Sequence, residues 1–489
     1  MIVLRIQRYG LKVFTSLYLV FSIFCASVSV TAGQNQDIRL VKDITEGSGD
    51  SLVPNVSNMV SIGQQLYFAA DDQVHGSELW ITDGSAAGTH MVQDMNPGIG
   101  DTFPVFLTAF NGALVFADAY YSPTLWKSDG SPNGVLSIHE FAPTEWRKRL
   151  HQPLVVDGAI YLFFSLSTTD EQPRAGFELW TSKGTSASTT LLKGVYSDNG
   201  DSDANFGTFI PDLTEVNGTI YFSADDGVHG YELWRTDGTA DGTYLVKDLT
   251  VGSDSSWPAH LTQLGDMLYF VNSADGSLWQ SDGSESGTVL VSESVENQPH
   301  SGYIHEMISH ADSLYFLRQA ACSTGDLDCW SLWKSDGSTQ GTVLIKEIAG
   351  EPEHLMAVGK QVIFTVFVQN QEFSQYLWVS DGSSSGTHLL KGFVDFLSKG
   401  FNAASLHEQL YFAADDGQHG LELWQSDGTV DGTQLVDDLV PGAASSDPRT
   451  LTAAFGALYF SASDAEHGRE LYRMKLFEPQ NNFLPIIRK

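Results

Sequence analysis

Basic residues are scarce in this 489-residue chain, which has 26 Lys and Arg against 60 Asp and Glu and a formal net charge of −34. A surface of this sign repels nucleic acid and anionic membranes, so we expect neither as a partner. After the first thirty or so residues, no stretch is apolar for long enough to cross a bilayer as a helix. The chain also lacks a P-loop and an H-E-x-x-H motif, which weakens common enzyme classes without excluding others.

The start of the chain differs from the rest. Arg5, Arg8 and Lys12 precede the apolar run VFTSLYLVFSIFCASVSVTAG. A basic start followed by such a run is typical of a secretory signal peptide, and the small residues before position 33 fit cleavage after Ala32. We therefore expect residues 1–32 to be removed and the mature protein to be secreted, periplasmic or on the cell surface. An uncleaved membrane anchor is the alternative.

Cysteine is also rare, with three in the whole chain. Cys322 and Cys329, in ACSTGDLDCW, are the two that follow the predicted signal peptide. Nearby thiols in an exported protein most simply form one disulfide loop. A metal-binding pair is less favoured, because no further Cys or His lies nearby at the spacing of a zinc site.

One phrase recurs through the rest of the chain. A Leu-Trp pair, replaced by Leu-Tyr in the ninth copy, returns every 45 to 54 residues, with the Leu at positions 79, 125, 179, 233, 278, 332, 377, 423 and 471. A period of this length is typical of propeller blades or solenoids. Each unit contains several short β-branched and aromatic segments separated by Gly, Asp and Ser, which predicts four strands.

These patterns predict an all-β fold, a β-propeller of nine four-stranded blades over residues 33–478 with a C-terminal tail at 479–489. Adjacent Leu233 and Trp234 point to opposite faces of one strand, so both faces must be covered, as they are in a stack of blades. The chain enters with IRLVKDI at 38–44 and leaves with ELYRMKLF at 470–477. Pairing these two segments would close the ring and remove its exposed edges. Eight blades are the fallback.

The phrases ELWITDGSAAGT at 78–89, ELWRTDGTADGT at 232–243 and SLWKSDGSTQGT at 331–342 resemble the ELWxxDGT repeat family of exported bacterial proteins. The resemblance covers nearly the whole mature chain and implies a β-propeller-like repeat protein. It brings no established catalytic residue, substrate or cofactor. The sequence departs from the motif at Val135, Lys183 and Ser188.

The repeated turns are better explained by structure than by a site. Asp-Gly-Ser/Thr is turn chemistry, in which the Asp accepts backbone N–H groups and Gly supplies a positive φ. A calcium loop at Asp237 and Asp241 is the alternative, but other units lack the second Asp. A second turn, DDQVHG at 71–76, recurs as DDGVHG, DDGQHG and SDAEHG. Four copies cannot form one active site, so we expect an Asp–His hydrogen bond that holds a hairpin.

Function is better sought where the units differ. Strand A of a propeller blade is innermost, and one position near its start holds Asp212, His260, Glu306 and His354 in four successive units, with His305 beside them. Two imidazoles and carboxylates could hold a divalent metal ion or serve as acid and base. The alternative is a polar, water-lined channel mouth.

A basic cluster and several aromatics provide a second candidate site. Trp146, Arg147, Lys148 and Arg149 are expected in the link between the second and third blades, with Arg174 on the same face. This set suits an acidic sugar or a sulfate group, unless it pairs with the protein's own carboxylates. Aromatic rings that could stack on sugars are expected in other turns of this face, at Tyr120, Tyr121, Trp257 and Trp330.

The sequence therefore predicts an exported, non-catalytic propeller that binds a polysaccharide or another cell-surface macromolecule. The alternative is a metal-dependent or acid–base enzyme that cleaves a glycan or an ester at the channel mouth.

Overall fold

The computed structural model describes residues 37–475 except for 53–57, 119–120, 122, 142–145, 169–174, 198–212, 294–302, 321–328, 369–373 and 397–402. The predicted signal peptide and tail lie outside the described residues, as do Tyr120, Arg174, Asp212 and Cys322. The predictions that depend on them, including the Cys322–Cys329 disulfide, stay predictions.

The strands form nine antiparallel sheets, numbered here as blades 1 to 9 in chain order, with strands A to D in each. The A strands are Val60–Ile62, Val105–Phe110, Trp146–Leu150 with Leu154–Val156, Thr214–Val216, Pro258–Leu264, Ile304–His310, Glu351–Val358, Ala403–Leu406 and Arg449–Ala454. The B strands are Gln65–Asp71, Ala113–Ala117, Ala159–Thr168, Thr219–Asp225, Met267–Asn272, Ser313–Ala320, Gln361–Phe367, Gln409–Asp415 and Ala457–Asp464.

The C strands are Ser77–Thr82, Thr124–Ser128, Ala175–Ser182, Tyr231–Thr236, Ser277–Ser281, Cys329–Ser335, Gln375–Ser380, Leu421–Ser426 and Gly468–Lys475. The D strands of blades 1 to 8 are His90–Gln93, Val135–Glu140, Thr190–Ser197, Tyr244–Lys247, Val289–Ser292, Val343–Ile348, His388–Phe393 and Gln434–Asp437. A short 3-10 helix, Ser186–Ser188, precedes strand D of blade 3.

The fold is a nine-bladed β-propeller, as the sequence predicts. Strands A, B, C and D are adjacent in that order in every blade, and the A strands of most neighbouring blades contact one another. The first strand, Asp37–Lys42, is strand D of blade 9, where Ile38 lies opposite Met474 of strand C. The predicted closure of the ring is therefore confirmed, and the eight-blade fallback is wrong.

Strand C supplies the apolar contacts on both faces of a blade. In blade 4, Leu233 is fully buried and Trp234 is 4% exposed. Trp234 lies against Phe177 of blade 3, at 5.7 Å between ring centroids, and against Phe222 of its own blade. The expectation that Trp234 fills a blade interface is confirmed.

A lysine from one blade covers the tryptophan of the next. Lys247, the last residue of strand D in blade 4, places Nζ 5.6 Å from the ring centroid of Trp279 in blade 5. The same Nζ donates a hydrogen bond of 2.8 Å to the carbonyl of Thr288. Such cation–π contacts recur at Lys42 over Trp80, Lys193 over Trp234, Lys346 over Trp378 and Lys391 over Trp424. A lysine of strand D thus joins neighbouring blades at five junctions.

The Asp-Gly turn makes a second contact between blades. Asp237 Oδ1 accepts hydrogen bonds from the backbone N–H and hydroxyl of Thr239, at 2.9 and 2.6 Å. Gly238 has φ +86°, and a Cβ added there would collide with the Tyr161 hydroxyl of blade 3. The same Gly–Tyr contact joins Gly84 to Tyr459, Gly130 to Tyr67, Gly283 to Tyr221, Gly337 to Tyr269 and Gly382 to Tyr315. At six blade junctions a tyrosine of one blade therefore lies under the turn of the next, whereas Gly184 meets Phe110 and Gly428 meets Gln361 at the corresponding positions.

Replacing Gly238 with alanine tests the Gly–Tyr contact. Gly442 is the control, because it has φ +94° and open space around its Cα. Gly442→Ala should cost about 1 kcal/mol of unfolding free energy from the left-handed backbone alone. Gly238→Ala should cost a further ~1–3 kcal/mol from the steric clash. Denaturant unfolding of both variants measures the difference.

Tyr161→Phe removes the hydroxyl that the new Cβ would meet, so it should recover part of the extra cost of Gly238→Ala. Equal destabilisation by the two glycine substitutions would contradict the contact.

Candidate functional site

The turns between strands B and C and the links from strand D to the next strand A lie on one face, called here the link face. A buried glutamate holds each of four links in place. In blade 4, Glu232 Oε2 accepts hydrogen bonds from the Ser256 hydroxyl at 2.6 Å and from the Leu249 N–H at 3.1 Å. Glu78, Glu422 and Glu470 bond in the same way to Thr102, Ser446 and Ser51. The Glu of the repeated phrase is thus a clamp for the link.

Burial shifts the titration of these glutamates. It raises the pKa of Glu422 and of Glu470 to about 7, although their hydrogen bonds oppose the shift. The pKa values of Glu78 and Glu232 are raised for the same reason. Unfolded glutamate titrates near pH 4.3, so these carboxyls can hold a proton in the folded state at pH values where the unfolded chain has lost it.

The Asp–His turns of the link face are structural, as expected. In blade 4, His229 Nδ1 lies 2.8 Å from Asp226 Oδ2, and Asp226 Oδ1 accepts the N–H groups of Val228 and His229 at 2.9 Å. The same pairing occurs between His75 and Asp72, His419 and Asp416, and His467 and Asp464. The hydrogen bond to Asp226 raises the pKa of His229. The prediction of a hairpin-holding Asp–His bond is confirmed in all four copies.

The predicted ring of strand-A residues lies at backbone irregularities that the sequence did not indicate. The backbone φ is positive at His260 (+53°) and His354 (+58°). It is also positive at Phe106 (+56°) and Thr450 (+54°) in other blades. Each lies where the pairing of strands A and B shifts register. A bulge of this kind changes the direction of one side chain, at some cost in strain. No glycine marks these positions in the sequence.

Glu306 joins two blades through backbone groups. Its Oε1 accepts the N–H of His354 at 3.0 Å, and its Oε2 accepts the N–H of Leu355 at 2.7 Å. His354 Nδ1 in turn lies 3.0 Å from the Thr365 hydroxyl. Both carboxylate oxygens of Glu306 are thus engaged by the A strand of blade 7.

The metal set expected from His260, Glu306 and His354 is not assembled. Across the described residues, no three His, Cys, Asp or Glu side chains are grouped so that they could hold a metal ion. The physical reason is that the Glu306 carboxylate bonds to backbone N–H groups instead of facing both imidazoles. Burial lowers the pKa of His260, an effect that Glu306 opposes and His305 reinforces. His260, His305 and Glu306 are therefore electrostatic neighbours without being a ligand set.

The basic cluster is not the link that the sequence predicted. Trp146–Leu150 is the first segment of strand A in blade 3 and pairs with strand B, with Lys148 opposite Leu166. Lys148 is 8% exposed, and its Nζ donates to Glu178 Oε2 at 2.9 Å. Arg149 is partly buried, and the side chains of Trp146 and Arg147 are outside what the structure describes. The run of three basic residues at 147–149 does not alternate apolar and polar side chains, so the sequence carried no period-two signal for this strand.

Of the predicted aromatics, Trp330 is packed inside the fold and Trp257 is half-buried. Trp257 stacks on Tyr231, with 4.3 Å between ring centroids and 16° between the planes. Trp330 is 4% exposed and lies 4.7 Å from the His305 ring. Tyr121, in contrast, is 50% exposed. Among the predicted aromatics whose side chains the structure describes, Tyr121 therefore presents the most ring surface to solvent.

The link face carries exposed apolar residues that sequence reasoning missed. Val74 and Val228 project from B–C turns with 60% and 63% exposure, and Ile99 and Val251 project from the facing links with 85% and 88%. Turn and link are in backbone contact, since a Cβ on Gly230 would lie 2.9 Å from the carbonyl oxygen of Asp254. Phe103 and Tyr303, at the ends of two links, are 45% and 54% exposed. The signal was a valine or isoleucine between turn-forming residues.

The structure is a nine-bladed β-propeller whose link face carries exposed apolar groups, and further exposed apolar groups lie on D strands, such as Leu136, Leu191 and Val343. No helix among the described residues is both long and apolar enough to cross a membrane. No protein-family model matches the chain, and no curated protein matches its sequence.

Solved structures with a similar fold are distant. The β-propeller domain of the Trilobed protease from Pyrococcus furiosus is 11% identical with a TM-score of 0.36, over 71% of this chain and 100% of that domain. The Pyrococcus horikoshii acylaminoacyl peptidase is 11% identical with a TM-score of 0.35, and a Mycobacterium tuberculosis puromycin-hydrolyzing peptidase is 15% identical with a TM-score of 0.36. This chain, matched over 67% of its own length, covers 51% of each of these peptidases. Likeness this distant assigns no activity to the chain.

The raised pKa of Glu422 predicts a pH-dependent stability. From about pH 4.5 to about pH 7, the unfolded chain loses its proton while folded Glu422 keeps it, so stability falls as the pH rises through this window. Glu422→Gln should remove this contribution and reduce the difference in unfolding temperature between about pH 5 and about pH 8. Glu466→Gln, at an exposed position, is the charge-matched control. An unchanged difference in Glu422→Gln would contradict the assignment.

Proposed function

We propose that this chain is an exported, non-catalytic binding protein of the ELWxxDGT repeat type that holds a carbohydrate on its link face. The observation that carries the proposal is the set of exposed rings and aliphatic tips on that face. Phe103, Tyr121 and Tyr303 present ring surface, and the apolar C–H faces of sugars are suited to such rings. Another macromolecule of the cell surface is the alternative ligand.

Four links and four turns of the link face are fastened by internal hydrogen bonds before any ligand binds. Each link of blades 1, 4, 8 and 9 is fastened by a buried glutamate, and each facing turn by an Asp–His pair. Phe103, on the link of blade 1, therefore loses little conformational freedom on binding, which favours affinity, whereas Tyr121 and Tyr303 lie outside these four links and turns. The repeated residues are thus used inside the scaffold, and the residues that vary are left at its surface.

The charge of the protein favours a neutral glycan over an acidic one. The formal net charge is −34, and Lys148 of the expected acidic-sugar site is buried against Glu178. A polyanion would therefore meet repulsion over most of the surface.

Binding to neutral cell-surface polysaccharides tests the proposal. Tyr303→Ala and Phe103→Ala should each weaken binding about tenfold, a loss of about 1.4 kcal/mol. Tyr244→Ala is the matched control, because Tyr244 is 43% exposed but begins strand D, at the opposite end of its blade. Titration calorimetry or a glycan array measures the change. Equal losses in all three variants, or no glycan bound by the wild type, would overturn the proposal.

A second candidate is an acid–base enzyme at the channel mouth, favoured by the proximity of His260, His305 and Glu306. Glycosidase and esterase assays, together with metal analysis of wild type and His260→Ala, separate this candidate from a binding protein. Turnover that is lost in His260→Ala while glycan binding persists would support the enzyme.

A further inference from the structure

Blade 6 departs from the lysine–tryptophan contact that joins other blades. Ser292 occupies the last position of strand D in blade 5, where Lys247 stands in blade 4. The cation over Trp333 comes instead from Arg318, in strand B of the same blade, at 5.2 Å from the ring centroid. Arg318 also lies 5.6 Å from the ring of Phe316. Cation–π contact explains the position of the guanidinium, but it does not satisfy its hydrogen-bond donors.

One edge of this guanidinium is buried and unpartnered. Arg318 is 3% exposed, and its Nε and Nη2 atoms have no hydrogen-bond partner among the residues that the structure describes. Nε and Nη2 form the side of the guanidinium that holds two oxygens of one carboxylate, sulfate or phosphate. Burial lowers the pKa of Arg318 to about 10, with no charged group among the described residues offsetting the effect. Burying an unpaired ion costs several kcal/mol, so a counter-ion would stabilise this arrangement.

Another buried arginine shows how this protein normally meets that cost. Arg469 is 4% exposed. Its Nη2 bonds to Asp447 Oδ2 at 2.5 Å, and its Nη1 donates to the Asp447 carbonyl at 2.9 Å and to the Ser461 hydroxyl at 3.2 Å. Arg469 thus has an acidic partner from its own chain. Arg318 is buried about as deeply as Arg469 but lacks an acidic partner among the described residues.

Arg318 occupies the part of its blade in which four other blades have the buried glutamate that holds a link. A positively charged group therefore lies where those blades have a carboxyl group. In blades 1, 4, 8 and 9 an alanine of strand B lies opposite the buried glutamate that holds the link, as Ala224 lies opposite Glu232. In blade 6 the corresponding pair is Arg318 and Ser331. The link itself is nearly absent there, because strand D ends at Ile348 and the next strand begins at Glu351.

We propose that Arg318 anchors a binding site for an oxyanion group, a carboxylate, sulfate or phosphate, held by two hydrogen bonds from Nε and Nη2. The anion lies at the same height in the blade as the glutamate carboxylate that holds the link in blades 1, 4, 8 and 9. Trp333 and Phe316 form the apolar wall, and the indole of Trp333 is itself fixed by a bond of 2.9 Å to Ser331. This site is independent of glycan binding by the link face, so either can exist without the other.

Anion-specific stabilisation of the full chain tests the site. Sulfate, phosphate and glucuronate are compared with chloride at matched ionic strength, and unfolding temperature and tryptophan fluorescence are recorded. The wild type should be stabilised by at least one of these oxyanions beyond the general salt effect. Arg318→Met should lose this increment, and Arg318→Lys should weaken binding about tenfold, because lysine cannot form the two-pronged contact. Lys360→Met, at an exposed position, controls for the change in net charge.

The three anions distinguish the sources of the shared chemistry. Selectivity for glucuronate indicates a carboxylate ligand, and selectivity for sulfate or phosphate indicates a tetrahedral one. An increment that survives in Arg318→Met would overturn the proposal. Because that variant can fail to fold, a crystal of the wild type soaked in selenate provides a second test. An anomalous peak beside Nε and Nη2 supports the site, and the absence of such a peak together with the absence of any increment from glucuronate overturns it.

Discussion

The contact between neighbouring blades is the constraint on which the rest of the protein depends. A blade with large apolar residues on both faces is not stable alone, because each face needs a cover. The repeated phrase supplies that cover in a directional way. Lysine and tyrosine of one blade reach the tryptophan and the Asp-Gly turn of the next, as Lys247 reaches Trp279 and Tyr161 lies under Gly238. The links of the link face, in turn, are carried by blades that these contacts join to one another.

The fold could be predicted from the sequence because its signals are local and repeated. Leu233 beside Trp234 required two covered faces, and the incomplete units at the two ends required each other. Nine copies made both inferences secure. The site was harder, because its residues occur once. Lys148 looked like part of a basic surface cluster, and only the pairing of its strand shows that it is buried against Glu178. The left-handed backbone at His260 and His354 has no glycine to indicate it.

Some departures from the repeat are compensated by new contacts, whereas others leave polar groups without partners. Where blade 9 has Tyr472 in place of tryptophan, its hydroxyl bonds to Asp464 and the local structure is satisfied. In blade 6, Arg318 replaces the lysine of the preceding blade. Its guanidinium covers the Trp333 ring, but its Nε and Nη2 donors have no hydrogen-bond partner among the described residues. A compensation that leaves polar groups without partners is the kind of departure from a repeat that is worth testing for binding.

Blade 9 is formed by strands from both ends of the chain, and this has a consequence for how the chain folds. Asp37–Lys42 pairs with Gly468–Lys475, so the two ends of the ring meet only after all the intervening strands exist. Closing so long a loop is entropically costly, and contacts of such sequence separation form late. A chain still being synthesised would hold its blades in an open arc with two exposed edges. Pairing of the first and last strands is therefore expected to be the final, rate-limiting step of folding. Once it is complete, the two exposed edges that favour aggregation are covered.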